Sequence, residues 1–255
     1  MLKSMVTGGL IAGCAAGLLA ALLHFWFLEG LILEGERYES GELTHFADVG
    51  SGGHDHAAAP AAQVAQPPAD AGATEAEGHD HHHAAADGED SGLTRHGLTV
   101  LFYMLTYTGF ALVMAAAMAV ARSRGHVPDL AKGILWGIAG FVAVQMAPAL
   151  GLAPELPGTP AANIDDRQIW WVATTLATAI ALALAAFGRR PWAPVAAVVL
   201  AALPHVIGAP QLDGYAGIAP PELAGEFAAR SLGIGLIAWS LLGGLLARHT
   251  RADQG

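Results

Sequence analysis

The chain has 255 residues, of which 54% are hydrophobic and only 13% are charged, and its net charge is −10. A soluble domain normally has about 25% charged residues, so this composition excludes an ordinary soluble protein and favours a helical membrane protein. The sequence has no basic face for nucleic acid, which is therefore excluded as a partner. The single cysteine, Cys14, excludes an internal disulfide and a cysteine-based metal centre.

Six apolar windows are candidates for membrane-spanning helices, each of which needs about 20 residues. In chain order they are Met5–Leu28, Gly97–Ala121, Gly133–Leu152, Ile169–Phe187, Ala193–Ala209 and Arg230–Ala247. The fifth is marginal because Pro204 and His205 interrupt it, and five spans remain if it does not cross. The sequence therefore predicts an all-α fold, a polytopic membrane helix bundle of about six transmembrane helices, with five as the alternative and the lipid bilayer as its surroundings.

Small residues recur at helix-packing spacing on two of these windows. Gly9, Gly13 and Gly17 are four residues apart on the first, and Gly133 and Gly137 repeat the spacing on the third. Because such stripes let helix backbones approach closely, they predict helix–helix contacts inside the bundle.

The distribution of charge favours six spans over five. Six crossings place eight of the twelve Lys and Arg residues on one face and twenty of the twenty-two acidic residues on the other. Because basic loops stay in the cytoplasm, both termini are predicted to be cytoplasmic and the acidic loops external. Five crossings would move Arg248 and Arg251 to the external face, against the same rule.

Three parts follow one another along the chain. Residues 1–28 are predicted to form the first transmembrane helix, residues 29–96 an acidic, histidine-rich outer loop, and residues 97–255 the rest of the bundle. Residues from about 51 to 91 are rich in Ala, Pro, Gly, Asp and Glu and bury too little apolar surface to fold. We therefore predict that this segment is disordered.

An imidazole and several carboxylates meet at the outer end of the first predicted helix. His24 lies in its last turns, inside an apolar span, where an ionisable side chain is costly. Four acidic residues follow closely, and they repel one another unless a cation is near. They are Glu29, Glu34, Glu36 and Glu39. This pattern predicts an entrance for a cation at the membrane surface.

The predicted topology places His205 and Met146 on the same outer side. The fifth span runs outward, so His205 lies at the depth of His24, and Met146 occupies the outer half of the third span. Imidazole, carboxylate and thioether groups suit a divalent transition metal better than Ca²⁺ or Mg²⁺. We expect a loose metal pathway shared by both histidines and the acidic entrance. The alternative is that each histidine is an interfacial residue bonded to a carbonyl.

Histidines also cluster in the low-complexity part of the outer loop. Neutral imidazoles bind borderline metal ions, so a flexible tract of them would capture ions weakly and raise their local concentration. The histidines concerned are His54, His56, His79, His81, His82 and His83. The alternative is a low-complexity segment with no required role.

Motifs of known enzyme classes are missing from the sequence. It has no GxxxxGK[ST] phosphate loop, so the chain does not hydrolyse ATP itself, and it has no HExxH or GxSxG. We therefore predict no enzymatic activity and no tightly bound cofactor, only a transported or weakly bound divalent metal. Two functions stay open: a permease subunit, and a membrane protein that binds metal and delivers it to a partner without transporting it.

Four stretches spread over nearly the whole chain form a recognisable set. They are Leu31–Glu39, Pro154–Gly158, Arg167 with Trp170 and Trp171, and Pro204–Pro210. Together they resemble the CbtA family of predicted cobalt transporter subunits.

The resemblance implies a bacterial inner-membrane protein, often described with five spans, that moves cobalt for cobalamin synthesis. It also implies a small single-span, histidine-containing partner subunit, CbtB. By matching position, it makes His24, Glu34, Glu36 and His205 candidate ligands. Assembly of several copies into an oligomer is compatible with the sequence.

Overall fold

The computed structural model describes residues 2–44, 90–214 and 217–252, and all regular secondary structure in these ranges is helical. The helices are α1 (Leu2–Phe27), α2 (Glu29–Glu39), α3 (Asp90–Ser123), α4 (Leu130–Phe141), α5 (Ala147–Ala149), α6 (Ile164–Phe187), α7 (Ala193–Ile207) and α8 (Pro221–Ala252). A π-helical turn, Val142–Met146, joins α4 to α5.

Five helical segments in the described ranges are long and apolar enough to cross a membrane. They are Lys3–Phe27, Gly92–Ser123, Leu130–Ala149, Ile164–Phe187 and Pro221–His249. The expected fold class, an all-α polytopic membrane helix bundle, is confirmed. By length and composition, the described ranges contain five candidate spans, which is the alternative to the six that the charge distribution favours.

The marginal fifth window forms α7, a helix of only 15 residues. At about 1.5 Å per residue it is about 22 Å long, less than the roughly 30 Å of a bilayer core. The indole Nε1 of Trp170, near the start of α6, donates to the Pro204 carbonyl at the end of α7, at 3.1 Å. Since α7 begins beside the end of α6, it runs back along α6 and returns the chain to the end of the bundle that contains Trp170. That end is the one the sequence predicts to be external, and we call it the outer end.

Glycines bring the long helices together in antiparallel pairs. A Cβ added at Gly17 of α1 would lie 2.6 Å from the Cα of Met104 on α3, and one at Gly13 would collide with Thr108. On α4, a Cβ at Gly137 would collide with the carbonyl oxygen of Trp239 on α8. The predicted small-residue stripes on the first and third spans are therefore the sites of the closest helix contacts.

Helix α8 contacts α1 at two widely separated points. At the outer end, Arg230 Nη1 donates to the carbonyl of Phe27, the last residue of α1, at 2.9 Å. At the other end, a Cβ at Gly8 would collide with the imidazole of His249. Helices α1 and α8 are thus antiparallel, so the start of α1 and the end of α8 lie at the same end of the bundle.

The segment predicted to form the acidic entrance is a short helix, α2, rather than part of a loop. Leu28 separates α1 from α2 with φ −112° and ψ −32°, a small break that leaves the Phe27 carbonyl to Arg230. The buried side of α2 contains Leu31 and Gly35. Leu156 packs against Gly35, because a Cβ added to this glycine would lie 3.4 Å from the Leu156 Cδ2 atom. The segment predicted to be disordered falls almost wholly on residues outside the described ranges.

Candidate metal site

His24 is held by an aromatic neighbour at the outer end of α1. The hydroxyl of Tyr103 on α3 and the Nδ1 atom of His24 are 3.1 Å apart, and the two rings lie 5.4 Å apart. His24 is half-buried. Because Nδ1 is occupied by this hydrogen bond, Nε2 is the nitrogen available for a ligand, which is the usual arrangement at a metal-binding histidine.

A second imidazole joins the same region from the first turns of α3. His96 Nε2 and Glu29 Oε1 are 2.6 Å apart, and the ring of Phe25 meets the His96 ring edge-on at 5.1 Å. His96 and Tyr103 are seven residues apart, so they share one face of α3. We refer to His24, Glu29, His96 and Tyr103 as the outer cluster.

The remaining predicted acids of α2 have different surroundings. Glu36 accepts a hydrogen bond from Arg95 Nη2 on α3 at 2.6 Å, beside the contact between Glu29 and His96. Glu34 is exposed, and the exposed Glu39 places its carboxylate over Gly158. Glu29 and Glu36 are therefore paired with basic residues of α3, whereas Glu34 and Glu39 are outside these two pairs.

His205 and Met146 are placed away from the outer cluster. The ring of His205 lies edge-on to that of Trp170 at 5.9 Å, on the α6–α7 pair. Met146 is 44% exposed in the π-helical turn. By contrast, α1 with His24 packs on α3 and α8. The structure thus brings His24 and Glu29 into one region but places His205 against a different helix.

The histidines of the predicted capture tract lie outside the described residues. They are His54, His56, His79, His81, His82 and His83. Within the described ranges, no group of three or more His, Cys, Asp and Glu side chains is arranged to hold a metal ion. The outer cluster offers imidazole and carboxylate groups in pairs, so an ion bound there would fill its remaining positions with water or with groups from a partner.

Sequence reasoning missed the role of α3 in this region. It ended the outer loop at His96, because the apolar window begins at Gly97, yet α3 begins at Asp90. The signal that was available is the seven-residue spacing from His96 to Tyr103, which continues the helical face outward into polar sequence.

Another feature that hydropathy does not reveal is the buried amide of Gln145 in the π-helical turn. Its Oε1 atom is shielded and has no hydrogen-bond partner within the described part of the chain. The atom lies over Gly235 of α8, where an added Cβ would collide with it. Pro148, which lacks an N–H, follows in the next turn, and π-helical turns of this kind are frequent at functional sites.

Comparison with known proteins gives one match. The model of a family described as Probable cobalt transporter subunit (CbtA) matches residues 2–251, nearly the whole chain. Neither the curated proteins nor the solved structures contain a significant match.

Proposed function

Because the chain belongs to the CbtA family of probable cobalt transporter subunits, we propose that it takes up divalent cobalt, or a closely related transition-metal ion, for cobalamin synthesis. The ion enters through the outer cluster. The observation that carries this proposal is the contact between His96 Nε2 and Glu29 Oε1 at 2.6 Å, beside the half-buried His24.

The chemistry of these groups suits a transition-metal dication. Imidazole nitrogen is a good ligand for such ions, and a carboxylate adds charge neutralisation. An ion that binds between His96 and Glu29 takes the place of the hydrogen at Nε2, and a neutral imidazole then keeps its one hydrogen on Nδ1 while the ionised carboxylate supplies an oxygen ligand. Two protein ligands, completed by water, give a weak site. A transport protein requires a weak site because a tight one would trap its cargo.

The arrangement of the chain supports a definite orientation in the membrane. The start of α1 and the end of α8 lie at the same end of the bundle, and that end contains the basic residues Lys3, Arg122 and Arg248. The positive-inside rule makes it the cytoplasmic end of a bacterial inner-membrane protein. The outer cluster and the histidine-rich loop then face outside. We include in the proposal a small single-span, CbtB-like partner subunit that contains histidines.

The test is cobalt uptake into cells that lack other cobalt transporters, at limiting external cobalt and matched membrane expression. The variant His24→Ala/His96→Ala is expected to lose most of the uptake, because both imidazoles of the outer cluster are removed. His126→Ala is the matched control. His126 lies in the loop between α3 and α4, at the opposite end of the bundle, where its ring packs against Phe187. The partner subunit is co-expressed in every strain.

Each result has a definite meaning. Uptake by the wild type and the control, with loss in the double variant, supports entry through the outer cluster. Equal uptake by all three rules out the outer cluster as the entrance. If the purified protein binds cobalt but the wild type takes up none, the chain is a membrane metal-binding protein that delivers metal to a partner. Deletion of residues 51–89 then separates capture by the histidine tract from capture by the outer cluster.

A further inference from the structure

The orientation of Glu29 depends on a single break in the chain. Glu29 is the first residue of α2, and Leu28 alone separates it from α1. The Leu28 N–H donates to the His24 carbonyl at 2.8 Å, so α1 stays helical up to that point. The φ angle of Leu28, −112°, departs from the helical value of about −63°. The direction in which α2 leaves α1 is therefore set at Leu28, and Glu29 follows that direction.

A guanidinium from another helix holds this break. Arg230 Nη1 on α8 donates to the carbonyl of Phe27, the residue before Leu28, at 2.9 Å. Arg230 Nη2 pairs with Glu226, one turn earlier on α8. A guanidinium presents its donors in a rigid, planar fork, so two acceptors at once fix its orientation. A cation beside the last carbonyls of a helix is also favourable electrostatically. The end of α1 is therefore tied to a fixed point on α8.

The contacts of α2 with α3 are too exposed to fix its orientation alone. Glu29 contacts His96, whose side chain is half-exposed. Glu36 contacts Arg95, whose side chain is also half-exposed. Exposed ion pairs contribute little, because water competes for both partners and two flexible side chains must be ordered. The hydrogen bond at Phe27 acts on the backbone beside the break, where a small change of direction moves the Glu29 carboxylate away from His96.

We propose that Arg230 is a positioning residue of the outer cluster: by binding the Phe27 carbonyl it fixes the break between α1 and α2 and holds Glu29 against His96. That Glu29 then binds the transported metal rests on the proposed function; the geometric role of Arg230 does not. If Arg230 acted only through its charge, it would repel an arriving dication, and its removal would strengthen metal binding. A positioning role predicts the opposite.

The geometric role is measured without metal. In a Cys14→Ala background, spin labels are attached at Glu34→Cys on the exposed side of α2 and at Arg124→Cys in the exposed loop after α3. They report the distance from α2 to the opposite end of the bundle. Double electron–electron resonance on the full chain in lipid nanodiscs should give one narrow distance distribution. Arg230→Gln should broaden it, because α2 then samples several directions.

A second variant and a matched control keep this measurement specific. Glu226→Gln leaves Arg230 in the chain but removes the charge of its second partner, so it should broaden the distribution less than Arg230→Gln. Arg37→Gln is the control, since it removes an exposed guanidinium of α2 that pairs with Glu42 at 3.2 Å rather than with α1. It should leave the distribution unchanged.

The consequence for the metal is measured by Co²⁺ titration of the purified, unlabelled protein. Arg230→Gln should weaken binding about fivefold, the factor by which one net hydrogen bond shifts an equilibrium. In a Glu29→Gln background the same substitution should weaken it no further, because the oriented carboxylate is already absent. Arg230→Lys keeps the charge but not the planar fork, so its affinity should fall between those of Arg230→Gln and the wild type.

The inference is overturned if Arg230→Gln leaves the spin-label distribution unchanged, or if it strengthens Co²⁺ binding, which identifies a competing charge. It is also overturned if Arg230→Gln weakens binding equally with and without the Glu29 carboxylate, because a general loss of structure then explains the effect. A wild type that binds no Co²⁺ removes the proposed function, while broadening in Arg230→Gln still supports the role of Arg230 at the break.

Discussion

Arg95 should act as a built-in competitor of the metal ion at the entrance. Arg95 precedes His96 in the sequence, and its Nη2 atom lies 2.6 Å from Glu36 Oε1. The side chains of Arg95 and Glu36 are 53% and 39% exposed. A fixed positive charge so close to the outer cluster repels an arriving dication and occupies a carboxylate that would attract it. The variant Arg95→Gln removes the charge and keeps a polar side chain of similar length.

The size of the effect follows from this geometry. A dication in the outer cluster would lie about 8 Å from the guanidinium, and at the dielectric constant of water the repulsion is about 1 kcal/mol, a factor of about five in affinity. The high exposure of both side chains justifies the use of water here. Loss of the ion pair itself should cost little stability, because exposed pairs contribute about 0.2–1 kcal/mol.

The assay is Co²⁺ titration of the purified protein together with uptake over a range of cobalt concentrations. Arg95→Gln should bind Co²⁺ about fivefold more tightly at low salt, as one removed charge predicts. Arg95→Lys should resemble the wild type. Arg37→Gln is the control for a neighbouring guanidinium, since Arg37 pairs with Glu42 at 3.2 Å. If Arg95→Gln weakens binding, Arg95 positions Glu36 for the metal, and the competition argument is refuted.

Two further predictions concern the positioning of His24 and the packing of α4. Tyr103→Phe removes the hydroxyl beside His24 Nδ1 and keeps the ring, so Co²⁺ affinity should fall about tenfold with little change in thermal stability. Gly137→Ala should lower the free energy of unfolding by about 1–3 kcal/mol, because its Cβ would collide with the Trp239 carbonyl. The matched control is Gly233→Ala, since a Cβ there meets no atom within 4 Å in the described structure.

Both predictions have clear contrary results. Unchanged Co²⁺ affinity in Tyr103→Phe would mean that the hydroxyl does not orient the imidazole that binds metal. Equal thermal stability of the two alanine variants in detergent would mean that α4 and α8 separate enough to admit a methyl group, which the backbone contact at Gly137 argues against.

The features that the sequence predicted well are those that depend on local composition. Membrane helices follow from windows of about 20 apolar residues, and the close contacts at Gly13, Gly17 and Gly137 follow from their spacing. The family inferred from four short stretches is confirmed by a match over residues 2–251. The window around Pro204 is marginal by length and composition, and it forms α7, the apolar helix that is too short to span.

Contacts between helices were harder to predict than their depth in the membrane. Hydropathy and charge give the depth of His24 and His205, but not the order of the helices around the bundle, so equal depth does not imply proximity. His96 was missed for a different reason. It lies on the first turns of α3, which are too polar for a hydropathy window to detect. There the His96 ring contacts Phe25 and Glu29, and such tertiary contacts are not visible in the sequence. The shared pathway that includes His205 stays a prediction.

The two contacts between α1 and α8 also limit how access to the two faces of the membrane can change. Arg230 donates to the Phe27 carbonyl at the end of α1, and His249 packs over Gly8 near its start, so α8 contacts α1 near both ends of α1. Sliding one helix along the other would break both contacts at once. The α6–α7 pair adjoins the rest of the bundle largely at the π-helical turn and α5. We therefore expect that any movement of the α6–α7 pair relative to the other helices would bend the chain near the π-helical turn and leave both α1–α8 contacts intact.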